Sequence, residues 1–123
     1  MAEAGWVSVE KRVSQLRDLL SAVDDLIAGL RRERRYLEAV PELEAYAARA
    51  RGAIAGGVAQ ATLNELAYAV PRLFWLHKDW EPPCEPDDTG QLREAAWFQR
   101  LSPLEKRVQE LAFDLRVVGQ YGR

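Results

Sequence analysis

Residues 9–37 read VEKRVSQLRDLLSAVDDLIAGLRRERRYL. Within them Val9, Val13, Leu16, Leu20, Val23, Ile27, Leu30 and Leu37 follow one another at steps of four and three, with Arg34 falling in phase before Leu37. A seven-residue repeat lines apolar side chains along one seam of a helix, and another helix must shield that seam from water. Leu19 and Leu26 lie beside the seam and widen it beyond a two-stranded coiled coil, toward a helix that faces a bundle. Arg34 puts a charge on the seam, so the stripe is expected to open near Arg31 to Arg35. Ser8 is placed to cap the start. The expected fold class is all-α: a helical bundle of four to six helices in a single domain over residues 1–123, with a long N-terminal helix from about Val9 to about Ala39.

Downstream, Val40-Pro41 breaks that helix, because the residue before proline disfavours the helical region and Pro41 suits the first turn of a new helix. The second helix runs from Pro41 toward Ile54 and presents a smooth face of Ala45, Ala48, Gly52 and Ala55 or Gly56. Gly56-Gly57 ends or kinks it. Val58 to Val70 reads as a third helix, and Leu73 to Leu76 as a short helix ending near Trp80. Glu81 to Gly90 is the clear loop, rich in proline (Pro82, Pro83, Pro86) and in acid (Glu81, Glu85, Asp87, Asp88). Asp88 with Gln91 resembles a capping pair for a helix from about Thr89 to Leu101. No alternating run is long enough to argue for a strand.

Ser102-Pro103-Leu104-Glu105 offers a serine cap, proline at the first helical position and glutamate at the third. The helix it opens carries Leu104, Val108, Leu111, Leu115 and Val118 at four-three-four-three spacing, with Gly119 as its natural stop. Leu101 to Glu105 resembles the opening of helix-turn-helix domains of the LuxR and sigma-factor region 4 type, over about one turn and one helix. The recognition helix of that motif would have to follow Gly119, and no family function is carried over. The first and last helices carry matching stripes. They can pair with each other, or the first can pair with its copy in a dimer.

The chain has 123 residues and a formal net charge of −2, so no global field draws it onto nucleic acid or an anionic membrane. Cys84 is the single cysteine, which excludes an intramolecular disulfide. The start lacks the basic and apolar regions of a signal peptide, and no window is apolar enough to span a membrane. A cytoplasmic location is expected. The preference for arginine over lysine, with abundant alanine, fits the coding bias of a GC-rich bacterium.

Two surface features compete for function. Arg31, Arg32, Arg34 and Arg35 place four guanidiniums within five residues, where they can clamp phosphates, with Tyr36 beside them to stack on a base. The plainer reading is a solvated helix end, diluted by Glu33 and Glu38, or a partner for the acidic loop. The second feature is aromatic: Phe74, Trp75 and Trp80, with Trp97 and Phe98 further on. Phe74 and Trp75 read best as core at the open end of the bundle, while Trp80 and Trp97 stay open between core and anchor. Tryptophans beside a proline-rich loop suit a protein partner. The candidate partner-binding residues are Trp75, Trp80, Trp97, Asp87 and Asp88.

His77, Asp79 and Cys84 fall short of a metal-ligand set. Cys84 and His77 lack any flanking nucleophile motif, and Asp24-Asp25 lacks the Glu-x-x-His companion of a di-iron bundle. No cofactor, metal or catalytic residue is therefore assigned. The reading that follows is a non-enzymatic protein-interaction module, an adaptor, regulator or neutraliser, that self-associates through its first helix. The alternative is a nucleic-acid-associated subunit using Arg31 to Arg35.

Overall fold

The computed structural model describes residues 7–116, and Val118 and Gly119 lie outside them. The described chain is mostly helical, with four α-helices and one small two-stranded sheet. Helix α1 spans Val9–Glu33, and the Ser8 hydroxyl accepts from the Lys11 N–H at 3.1 Å, as the sequence predicts. The helix stops short of Ala39. Arg34 closes it in the left-handed conformation, at φ 57°, and the Arg35 N–H donates to the Leu30 carbonyl at 3.1 Å. Glycine usually fills this closing position. Here the stop follows the loss of apolar residues on the seam. Tyr36, at φ 55°, then turns into the aromatic end of the molecule, and Leu37 is left exposed.

A single 3-10 turn, Leu37–Ala39, leads into α2, Val40–Ala55, with Pro41 in its first turn as expected. Helix α3 covers Gln60–Ala69. Three expectations give way beyond it. Residues 70–83 hold no helix, because Trp75 sits in the left-handed region at φ 57° and the preceding N–H groups bond elsewhere. The acidic segment folds as a hairpin, β1 (Cys84–Pro86) pairing antiparallel with β2 (Leu92–Glu94), in register Cys84 to Glu94 and Pro86 to Leu92. Strands of three residues are too short to show alternation, so the all-α expectation misses them. Helix α4 then runs without a break from Ala96–Phe113, and Ser102-Pro103 lies inside it instead of starting a helix.

The reason is the buried face of α4. Phe98, Leu101, Glu105, Val108 and Ala112 are all buried and follow one another at helical steps across Pro103. An interior proline costs roughly 3 kcal/mol through its missing N–H and its ring. Burial on both sides of it offsets that cost, and Pro103 itself faces outward.

Helix α1 packs on both α4 and α2, while α3 touches α2 and α4. Leu16, Leu19, Val23, Leu26 and Leu30 are fully buried. The seam read from the sequence is thus covered from within the chain, except that Val9 is exposed and Val13 and Leu20 are partly so. Gly29 sets the approach of α1 to α4: a Cβ there would sit 2.7 Å from Leu104 Cδ1 and 3.1 Å from Leu101 Cδ2. Gly29→Val is expected to destabilise the protein by about 1–3 kcal/mol through overpacking. A urea midpoint unchanged from the parent would refute that account.

Polar side chains fasten the ends of the elements. The buried Arg12 guanidinium donates to the Asp114 and Arg116 carbonyls at 3.1 Å each, and to Gln15 Oε1 and Gln60 Oε1 at 2.8 Å. It places a cation at the carbonyl end of α4, where the helix dipole favours one. Burial lowers its pKa, although a guanidinium stays protonated in such a site. The Tyr46 hydroxyl donates to the Leu66 carbonyl at 2.7 Å and ties α2 to α3, and burial pushes its pKa up to about 12.

Candidate protein-interaction site

The six aromatic side chains at one end of the molecule form a continuous set. Phe74 is its buried centre. Its ring meets Tyr36 at 5.4 Å, Phe98 at 5.0 Å and Trp80 at 5.9 Å, centroid to centroid. Trp80 also lies 5.7 Å from Phe98, so Phe74 and Phe98 make a floor beneath it. Trp75 stands edge-on to Trp80 at 4.6 Å, within the range where aromatic pairs attract. On the other flank Trp97 lies 6.3 Å from Phe98 and 6.0 Å from Tyr36.

A buried carboxylate holds this arrangement in place. Glu105, on α4, is 4% exposed, and its Oε2 accepts from the Leu73 N–H at 2.5 Å and the Phe74 N–H at 2.8 Å. Gln109, one turn on, donates to the Pro71 carbonyl at 2.7 Å. Segment 71–74 is therefore anchored to α4 by side chains, without secondary structure of its own. Trp75 follows directly on the anchored pair.

These positions revise the expected roles. Phe74 is core, as the sequence suggests. Trp75 is not: it is 48% exposed, and its neighbour Leu76 is 58% exposed. The left-handed backbone at Trp75 turns the chain outward just where the hydrophobic run Leu73 to Leu76 would otherwise continue inward. Trp80 and Trp97 are half-buried and pack against the core. Asp87 serves the hairpin turn. Its carboxylate accepts from the Thr89 hydroxyl at 2.7 Å, the Thr89 and Gln91 N–H groups at 2.8 and 3.0 Å, and Arg93 Nε at 2.6 Å. Those bonds, led by Thr89 and then Arg93, hold its carboxyl well below the usual range. Asp88 is exposed beside it.

The arginine run meets the aromatic set. Arg35 lies over the Trp97 ring at 4.2 Å, and Tyr36 bridges Phe74 and Trp97. Glu33 is clasped by Arg100, with Nε to Oε2 at 2.6 Å and Nη2 to Oε1 at 2.8 Å, which lowers the carboxyl pKa. Arg31 pairs with Glu44 at 3.3 Å, and Arg32 lies 4.0 Å from Glu33. Arg34, Arg35 and Arg32 are exposed. Two features that compete in the sequence thus share one end of the molecule. Glu105 and Arg100, which position that end, carry no local signal of doing so.

Among the described residues no group of three or more His, Cys, Asp or Glu side chains is placed to hold a metal ion. No described helix is long and apolar enough to cross a membrane. An open cleft of about 760 Å³ between α3 and α4 is lined by Tyr68, Arg72, Glu110, Phe113 and Arg116 among others, with charges of both signs. No known protein family, curated protein or solved structure matches the chain.

Proposed function

We propose that this chain is a non-enzymatic protein-interaction module that grips a partner protein at its aromatic end. The observation that carries the reading is Trp75: a large aromatic ring, half exposed, set edge-on against Trp80, on left-handed backbone. A non-glycine residue at positive φ costs of order 1–3 kcal/mol, and such strain clusters at functional sites. Exposed tryptophan over a rigid apolar floor suits a binding hot spot, because little side-chain entropy remains to be lost. An adaptor, a regulator and a neutraliser of another protein all fit this description.

Affinity capture with the tagged chain, with and without nuclease, tests the reading against Trp75→Ala. A stoichiometric protein band that survives nuclease and is lost from the variant is expected. A hot spot costs about 2 kcal/mol or more, which is roughly 30-fold in affinity. A band retained in full by Trp75→Ala would remove Trp75 as the anchor. Self-association through the first helix belongs to the same proposal; α2 and α4 cover most of the α1 seam and leave Val9 at its start exposed. The stacking of Arg35 on Trp97 beside Tyr36 favours nucleic acid as a second reading. Such binding would fall steeply with salt.

A further inference from the structure

We infer that the segment received at this end is an acidic peptide stretch carrying one apolar anchor, with its carboxylates on Arg34 and Arg35 and its anchor against Trp75 and Leu76; this rests on the interaction reading above. The charge at the corner between α1 and the 3-10 turn is positive. Glu33 is consumed by its two-point pairing with Arg100, and Arg31 by Glu44. Among the described residues no carboxylate lies within pairing distance of Arg34 or Arg35. Arg35 spends only the face of its guanidinium on Trp97, which leaves its N–H edge directed to other acceptors.

The apolar half of the surface is close by. Arg35 reaches Trp97 at 4.2 Å, Trp97 reaches Phe98 at 6.3 Å, and Phe98 reaches Trp75 at 6.4 Å. Phe98 is buried, so these steps bound the straight-line separation of Arg35 and Trp75, which about five residues of extended chain can span. Complementary charge steers encounter and fixes register, while a buried anchor supplies affinity. Nucleic acid is the poorer fit. Its backbone carries a charge at every nucleotide. Such a run would meet Glu44 beside Arg31, and Glu85, which accepts from Trp97 Nε1 at 3.3 Å. A peptide can set its carboxylates only where the arginines are.

Selection of random twelve-residue peptides displayed on phage, against the full chain, tests this. Enriched peptides are expected to combine several Asp or Glu residues with one aromatic or large aliphatic residue. Binding of the best synthetic peptide should fall at least tenfold with Arg34→Glu plus Arg35→Glu, less with Arg34→Gln plus Arg35→Gln, and at least tenfold with Trp75→Ala. Circular dichroism of each variant should match the parent, and the paired glutamine variant carries the test if the reversal disturbs folding. Peptides that need Trp75 but ignore both arginine variants would overturn the acidic partner and leave the interaction module standing. Failure to enrich any Trp75-dependent peptide would overturn both. Tighter, salt-sensitive binding of a single-stranded DNA 20-mer would assign the corner to nucleic acid instead.

Discussion

Glu105→Ala is expected to lower the unfolding free energy by about 3–4 kcal/mol. Hydrogen bonds to a charged acceptor are worth about 1.5–3 kcal/mol each, and truncation also leaves buried donors without a partner. Two such donors, the Leu73 and Phe74 N–H groups, converge on the single oxygen Oε2. That convergence yields a sharper expectation. Glutamine keeps one carbonyl oxygen that can accept both bonds, although without the charge. Glu105→Gln should therefore cost about half as much as alanine, near 1–2 kcal/mol. Urea unfolding of the three proteins checks the order. Equal losses for Gln and Ala would mean that the site needs the charge and not the acceptor. A loss under 1 kcal/mol for Ala would mean that the segment does not depend on α4 for its anchorage.

Phe74→Ala should cost a similar amount, about 3–5 kcal/mol, the usual range for removing a buried phenylalanine. The ring is fully buried and touches Tyr36, Trp80 and Phe98 at once, so the site has little freedom to collapse around the cavity. Trp80 loses part of its floor in this variant, and its emission should shift to the red as water reaches the indole. Phe74→Leu, which keeps most of the volume, should lose markedly less. A stable Phe74→Ala protein with unchanged tryptophan emission would place the support of Trp80 elsewhere.

What was legible in the sequence follows the range of the interactions concerned. The start of α1 at Val9, its Ser8 cap and the proline at the head of α2 depend on neighbours within a turn, and these readings match the structure. The apolar stripe of α1 identifies which side is buried, as Leu16, Val23 and Leu30 show. Ser102 to Glu105 misleads for an instructive reason. The pattern satisfies every local rule for a helix start, yet the buried face running from Phe98 to Ala112 holds the helix continuous through it. Glu105 reads locally as a reciprocal cap, and it does cap N–H groups, but those of Leu73 and Phe74, over thirty residues away in sequence. Nothing around Arg12 in the sequence marks it, because its partners Gln60, Asp114 and Arg116 are all distant in sequence. The candidate site behaves in the same way. Its residue types stand out in the chain. Its geometry, with Trp75 outward and Arg35 over Trp97, arises only from long-range anchoring.

The packing of α1 against α4 has a consequence for how the protein is made. A ribosome adds about 5–20 residues per second. The interval between the last residue of α1, Glu33, and the last of α4, Phe113, therefore lasts roughly 4–16 s at that speed, whereas helices form within microseconds. For all of that time the apolar stripe of the nascent first helix waits without the partner that will cover half of it. The newborn chain is exposed to wrong pairing with other nascent chains for far longer than a helix takes to form.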